Sequence, residues 1–424
     1  MTYQEILTHI YGLGRFGMKP GLERICSLLK ALSNPQDRLR VIHVAGTNGK
    51  GSTAAFLSAM LTAAGHRVGL FTSPHLLAFP ERIRINGREI SEPDVVSCAE
   101  RVLSAAPPGT TFFEIVTAMA YLHFAEQGVG PAIMEVGMGG RLDATNAASG
   151  VLSLISPIAL DHCEYLGNDI ARIAGEKAGV IKAGQPVAIA PQHPDALKII
   201  TETCAGLGSR LFRDGHDFAA TWETDGLAYH GLNLHLEGLR PGIPGSYQKT
   251  NAALALCASE LLDRVGLAVS EDAARQGIQQ AFWPGRMEMF PGPPRVILDG
   301  AHNPAGAEAL AGALAGVPRE ALILVVGVVG DKDVDGILAP LLPHADRVIA
   351  VCPAIPRGLP SGVLSERSGT LGHRAVDAGD VTAGLNMAFS RASARDLILV
   401  CGSLFTVGEA RARLLARTFE PFRG

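Results

Sequence analysis

The stretch Leu39-Arg40-Val41-Ile42-His43-Val44-Ala45-Gly46-Thr47-Asn48-Gly49-Lys50-Gly51-Ser52-Thr53 decides how the chain is read. Leu39–Val44 is a short apolar run that ends at Ala45 and predicts a strand. Gly46–Thr53 is a glycine-rich turn. Ala54–Ala64 carries apolar residues at helical spacing, and His66–Phe71 returns as a strand. Strand, glycine loop, helix and strand in that order open a parallel α/β sheet. Such a turn aims several backbone N–H groups at one spot. The positive end of the following helix reinforces them, and together they bind phosphate. Lys50 can reach the terminal phosphates, and Ser52 or Thr53 can lie near a metal. The generic spacing G-x-x-x-x-G-K-[ST] is not met, because Gly51 separates Lys50 from Ser52. The plain alternative is a glycine-rich turn with a solvated lysine.

Working outward, the α/β rhythm continues. Phe113–Gln127 predicts a helix, Pro131–Val136 a buried strand, Val151–Leu160 an apolar strand, Ile170–Gly179 a helix and Pro186–Ala190 a strand. Asp214–Glu237 alternates with polar breaks and predicts a β-hairpin region; Asn251–Val265 predicts a helix. Phe282-Trp283-Pro284-Gly285 interrupts the pattern, since Pro and Gly together favour a break. The rhythm then restarts, with strands expected at Val296–Leu298, Leu322–Val326, Arg347–Val351 and Leu397–Val400. The expected organisation is residues 1–282, a linker over 283–286, and a second, smaller α/β domain over 287–424.

Composition bounds the function. With 47% hydrophobic and 18% charged residues the chain is globular rather than disordered. A net charge of −4, a pI near 6.4 and no lysine- or arginine-rich block argue against nucleic acid as a partner. Small anions remain compatible, because local clusters act inside a mildly acidic protein. The seven cysteines stand singly, without CxxC or metal-ligand spacing, and read mostly as buried thiols in a reducing cytoplasm. No signal peptide and no run of about 18 apolar residues is seen, so no membrane association is expected.

Five groups of residues carry possible chemistry. Glu135 ends a buried strand beside Gly137, Gly139 and Gly140, a good position for Mg²⁺ and an equally ordinary one for a satisfied polar group. Asp161-His162 ends the next strand. Lys177 lies in the helix Ala174-Gly175-Glu176-Lys177-Ala178, where a lysine is usually a surface residue. Asp299-Gly300-Ala301-His302-Asn303-Pro304 follows a strand of the second domain and suits either a nucleotide or a turn. Arg286, directly after the linker, can swing a positive charge over a phosphate if the domains close.

Seven segments in order resemble the folylpolyglutamate synthase and dihydrofolate synthase family, within the Mur ligase superfamily. They are His43–Thr53, Thr72–Gly87, Glu135–Asn146, Asp161–Lys182, Gly285–Glu288, Asp299–Gly306 and Gly402-Ser403-Leu404, spread over nearly the whole chain. The family's phosphate loop has the same extra glycine after its lysine. The resemblance implies an N-terminal P-loop ATPase domain with a mostly parallel sheet and a smaller C-terminal Rossmann-like α/β domain. It implies an ATP-dependent ligase that joins L-glutamate to a reduced folate, to dihydropteroate, or to both, through an acyl phosphate.

Carried over position by position, Thr47, Asn48, Gly49, Lys50, Gly51, Ser52 and Thr53 hold the nucleotide phosphates. Ser73, Glu135 and His162 hold Mg²⁺. Lys177 carries a CO₂-derived carbamate that helps hold a second Mg²⁺. Asn251, Arg286 and Asp299, with His302 close by, are the nucleotide contacts of the second domain. Lys50, His162, Lys177, Arg286 and His302 are the expected catalytic set. Thr72–Gly87 resembles the family's mobile substrate loop, and Lys19–Arg24 the stretch near the pterin site. Phe112, Phe113 and Glu114 either line that site or form a buried helix start. One departure is Cys163, where many relatives carry Thr or Gln; a thiol orients a neighbouring histidine weakly. A peptidoglycan-precursor ligase is a rival, disfavoured because only 45 residues precede Gly46. A non-catalytic nucleotide-binding protein is another, disfavoured by the full set of metal-ligand positions. A cytoplasmic monomer is expected.

Overall fold

The computed structural model describes residues 1–13, 21–161 and 163–420, with Cys163 described by its backbone alone. His162, Lys19 and Pro20 therefore lie outside the described residues.

Apolar runs in the first 213 residues form one eight-stranded sheet. Its strands are β1 (Arg40–Ala45), β2 (Gly69–Phe71), β3 (Ile83–Ile85), β4 (Arg88–Glu89), β5 (Pro131–Glu135), β6 (Gly150–Ile155), β7 (Val187–Ile189) and β8 (Leu211–Arg213). The order is β4-β3-β2-β5-β1-β6-β7-β8. Neighbours from β2 to β8 run parallel; β3 and β4 are added antiparallel at one edge. Val41–Ala45 of the central β1 are all buried, as a strand covered on both faces requires. One face packs on helices Lys50–Ala63, Gln248–Leu262 and Glu271–Gln280, and the other on helices Tyr3–Gly12, Glu23–Ala31, Glu92–Ala105 and Phe112–Glu126.

The predicted hairpin region is instead a three-stranded antiparallel sheet: β9 (Ala219–Trp222), β10 (Leu227–His230) and β11 (His235–Leu239), in the order β11-β10-β9. Residues 288–401 build a second sheet, ordered β12-β13-β17-β14-β15-β16. Its strands are β12 (Glu288–Phe290), β13 (Arg295–Leu298), β14 (Leu322–Val326), β15 (Arg347–Cys352), β16 (Ala375–Asp380) and β17 (Leu397–Cys401). Only β12 runs antiparallel to its neighbour. Helices Pro304–Leu314, Val334–Leu341 and Ser361–Thr370 cover one face, and Val381–Arg391 and Leu404–Leu415 the other. The protein is thus a two-domain α/β fold with large, mostly parallel sheets.

Three expected boundaries move, each for a local reason. The first long helix starts at Lys50 rather than Ala54, because Gly49, with φ +89°, turns the chain straight into it. The strand expected to run to Leu160 stops at Ile155, and Pro157 behind it offers its carbonyl to Thr47 N (2.9 Å) and Asn48 N (3.2 Å). The strand expected from His66 begins only at Gly69.

Candidate active site

Glycine geometry builds the loop between β1 and its helix. Gly46 has φ +137°, and a Cβ there would stand 2.0 Å from Ser156 Oγ. A Cβ on Gly49 would meet Asn251 Oδ1 at 2.2 Å, and one on Gly51 would meet Trp283 Nε1 at 2.7 Å. The backbone is therefore pressed between β6, helix Gln248–Leu262 and the linker, where no other residue fits. The helix that follows has no side-chain cap at its N-terminus. The first N–H groups of a helix lack intrahelical partners, and uncapped they can bind an anion.

The loop residues divide between anion binding and wiring. Thr47 and Asn48 direct their N–H groups at Pro157, and Thr47 Oγ1 bonds both the carbonyl and the N–H of Ala159 (3.0 and 3.1 Å). Ser52 and Thr53 are buried: Ser52 Oγ accepts from Gln248 Nε2 (3.4 Å) and Thr53 Oγ1 donates to Asn251 Oδ1 (3.5 Å). Asn251 is thus seated beneath the loop, further fixed by its bond to Gln248 Oε1 (2.7 Å). Lys50 folds back over the loop, its Nζ donating to Gly46 O (3.2 Å) and Thr47 O (3.1 Å).

Lys177, placed in the site by the resemblance, comes against this loop. A helical lysine was expected at the surface on its residue type alone, yet its side chain is buried. Its Nζ donates to Gly46 O at 2.7 Å, the carbonyl that Lys50 also uses. Burial, and then the neighbouring Lys50 ammonium, push its pKa down to about 7.

Glu135 is buried at the end of β5 and accepts from Ser73 N at 3.2 Å. Burial raises its pKa, opposed first by the Lys50 ammonium and then by the Ser73 N–H, Arg286 and Arg82. Glu135, Ser73, Gly51 and Arg286 line one cleft. Trp283 of the linker forms another wall, with the Arg84 guanidinium 5.1 Å from its ring centroid. Among the described residues no three His, Cys, Asp or Glu side chains form a metal-binding group. Of the expected metal ligands, Ser73 and Glu135 meet, Lys177 lies across the phosphate loop, and His162 is outside the described residues.

Leu404 of the second domain lines this cleft, and the segment Asp299–Asn303 meets the first domain beside it, at Asn48 and Asp161. Asp299 Oδ2 accepts from Tyr247 Oη (2.7 Å) and Met287 N (2.9 Å), tying the linker to helix Gln248–Leu262. Asn303 pairs with Asn48, and Asn303 Nδ2 also reaches Asp161 Oδ2 at 3.3 Å. His302 Nδ1 bonds Gly300 O (2.8 Å), and its Nε2 lies 3.6 Å from Asp161. Lys332, not singled out from the sequence, closes on Asp161 Oδ1 at 2.5 Å. Its signal was its place in a loop just beyond β14, at the carboxyl edge of a parallel sheet where sites gather. Glu114 is a helix cap rather than a cleft residue: it closes a capping box with Thr111 and pairs with Arg24 at 3.2 Å. Phe112 stacks on Tyr11 with centroids 5.5 Å apart, and Phe113 packs over Gly137.

Residues 44–259 match the Mur ligase middle domain, and residues 285–404 match the Mur ligase, glutamate ligase domain. A dihydrofolate synthase/folylpolyglutamate synthase of Bacillus subtilis is 36% identical, over 97% of this chain and 99% of the relative. The chain belongs to the dihydrofolate synthase/folylpolyglutamate synthase family of Mur ligases. A solved Escherichia coli FolC, in complex with DHPP and ADP, superposes with a TM-score of 0.90 at 34% identity, covering 97% of this chain and 98% of that one. A Yersinia pestis bifunctional folylpolyglutamate synthase/dihydrofolate synthase complexed with AMPPNP and Mn gives 0.89 at 35% identity, over 98% of both chains. The family resemblance read from seven sequence segments is therefore met along the whole chain and in the fold. Four of the six described cysteines are buried, while Cys26 is exposed and Cys352 intermediate. Among the described residues no helix is long and apolar enough to cross a membrane.

Proposed function

We propose that this protein uses ATP to join L-glutamate to the carboxylate of a folate, acting on tetrahydrofolate and on dihydropteroate. The observation that carries the reading is convergence: Gly51 of an uncapped helix N-terminus, the Ser73–Glu135 pair and Arg286 at the end of the linker line one cleft, and the Lys50 ammonium acts on the Glu135 carboxylate. A carboxylate is a poor electrophile. Transfer of the γ-phosphoryl group to one of its oxygens gives an acyl phosphate and ADP. The glutamate amine then attacks the acyl carbon, and the tetrahedral intermediate collapses to amide and phosphate.

Catalysis of phosphoryl transfer is largely positioning and charge neutralisation. Lys50 and the backbone from Gly49 to Ser52 hold the phosphates, with Arg286 adding charge from the end of the linker. Thr47, Thr53 and Asn251 keep the loop in shape; Asn48, Asp299 and His302 act where the domains meet. A buried strand-end carboxylate suits a hard divalent cation. Ser73 and Glu135 would hold one Mg²⁺, and His162 with carbamylated Lys177 a second, neutralising phosphate charge. Carbamylation needs a free amine: the nitrogen lone pair forms a bond to CO₂ and a proton leaves. A Lys177 pKa near 7 supplies that amine at neutral pH. The substrate loop Thr72–Gly87 receives the acceptor, and its cover excludes water that would hydrolyse the acyl phosphate. On this reading residues 1–282 and 287–424 are the two units, joined through 283–286, in a cytoplasmic monomer without nucleic-acid or membrane partners.

The test is ADP release by purified protein with Mg²⁺, ATP and glutamate, comparing dihydropteroate with tetrahydrofolate. Release with both makes the protein bifunctional, and release with one names its activity. Release with neither overturns the reading.

A further inference from the structure

The helix Leu404–Leu415 ends at Ala416, whose φ of +51° turns the chain back toward the first domain. The returning segment crosses residues 75–79 of the substrate loop. Glu420 N donates to Leu77 O at 2.8 Å. Arg82 Nε donates to His75 Nδ1 at 2.9 Å, so the ring proton is on Nε2, which donates to Glu420 O at 2.9 Å. The Glu420 carboxylate goes further. Its Oε2 accepts from Phe79 N (3.1 Å) and from Tyr3 Oη in the first helix (3.2 Å). One residue thus binds the loop on two sides and ties it to the N-terminal helix.

The loop is also seated on the second domain. Leu76 is buried among Val296, Leu298, Val407 and their neighbours, inside the core of the second domain. Its backbone lies so close to the last helix that a Cβ on Gly408 would stand 2.4 Å from Leu76 O and 2.8 Å from Phe419 Cε2. Inside the loop, Glu81 accepts from Leu76 N (2.8 Å) and Leu77 N (3.0 Å). The tail, the last helix and Glu81 therefore define one conformation of a segment whose His75 and Ser73 line the cleft beside Glu135.

We propose that Glu420 is a positioning residue for the acceptor: it fixes the shape in which the loop presents His75 to the cleft. This rests on the reading of Thr72–Gly87 as the acceptor loop. The Glu420 bonds to the loop fall on residues 75–79, while Ser73 N is held separately by Glu135 at 3.2 Å, so Glu420 acts on acceptor binding and leaves ATP binding alone.

The test compares Glu420→Ala, Glu420→Gln and Tyr3→Phe in the full chain, with tetrahydrofolate as acceptor. Loss of the carboxylate is expected to raise the acceptor KM about tenfold, the size of one lost charge-assisted hydrogen bond, with the ATP KM within about twofold. Glu420→Gln keeps an accepting oxygen for Phe79 N and stays within about threefold of the parent. Tyr3→Phe, which removes one exposed-side bond, falls between and keeps the test alive if Glu420→Ala does not fold. Hydrogen exchange at the Phe79 amide, followed without substrate, should accelerate in Glu420→Ala. An unchanged acceptor KM, or an ATP KM rising in step with it, overturns the proposal. A parent protein that turns over no folate overturns the acceptor reading instead, and exchange at Phe79 still shows whether Glu420 holds the loop.

Discussion

Asn48 and Asn303 exchange two hydrogen bonds between the phosphate loop and the second domain: Asn48 Nδ2 donates to Asn303 Oδ1 at 3.1 Å, and Asn303 Nδ2 to Asn48 Oδ1 at 2.9 Å. The same Asn303 Oδ1 caps helix Pro304–Leu314 by accepting from Gly306 N. One side chain therefore serves a local structure and the meeting of two domains. Asn303→Asp separates these roles. An aspartate caps equally well, but sets an oxygen against Asn48 Oδ1 and Asp161 Oδ2 in place of a donor. Melting should stay near that of the parent while turnover falls about tenfold or more. Asn303→Ala should lose turnover and also about 1 kcal/mol of stability. Steady-state kinetics and thermal unfolding of the two variants check this.

Lys177 carries a pH prediction whose sign is set by its depressed pKa. In the unfolded chain the amine titrates at its ordinary value of 10.5, and in the folded protein near 7. Between those values the unfolded chain holds a proton that the native one lacks, so stability rises with pH. Below about 7 both forms are protonated and the cost of the buried charge is fully present. In CO₂-free buffer the urea midpoint should increase from pH 7 to pH 9, and Lys177→Met should flatten that rise. Lys177→Ala should also lower turnover without rescue by bicarbonate; near-normal activity would remove the carbamate role.

Gly46→Ala should displace the phosphate loop. The new Cβ meets Ser156 Oγ and the Ser156 carbonyl at 2.9 Å, at a φ that side chains rarely adopt. The ATP KM should rise about tenfold, because the loop's N–H groups and Lys50 move together. Gly65→Ala is the control. Its φ is also positive, +86°, but nothing stands within 4 Å. That variant should lose about 1 kcal/mol of stability and keep its kinetics.

Glu288 and Arg411 form a buried pair, with both Glu288 oxygens within 3.0 Å of Arg411 Nε. Glu288 Oε2 also accepts from Gly285 N at 2.8 Å, holding the linker to the last helix. Glu288→Ala leaves a largely buried guanidinium without its partner and should cost about 2 kcal/mol. Glu288→Gln with Arg411→Met should recover part of this loss. Denaturant unfolding of the single and double variants measures the coupling.

Several features were legible in residue order because local chemistry dictates them. A strand, then glycines that admit close backbone approach, then a helix predicted the phosphate loop, and the apolar runs predicted β14 and most of β13, β15 and β17. The edge strand β16 was not legible: its residues are half-buried or exposed, so no apolar run marks it. The short β12 was hidden for a similar reason, since Met289 points outward between Glu288 and Phe290. The hairpin region hid a third strand because only β10 carries a continuous buried run. Glu114 read equally as a pterin-site residue and as a helix start, and the capping box with Thr111 accounts for the helix start.

Residue order by itself determined the family, the α/β class and the strand, glycine turn and helix that open the first sheet. These depend on short segments whose backbone and side chains interact within a few positions. Tertiary structure alone decided what those residues touch. It buried Lys177 against Gly46 and so brought its amine near neutrality, where spacing alone predicted a surface lysine. It matched Asn48 to Asn303 and Asp161 to Lys332, and laid Glu420 across a loop more than three hundred positions earlier. Such pairings join positions remote in sequence, and only the packing of two sheets and their helices brings them within hydrogen-bond distance.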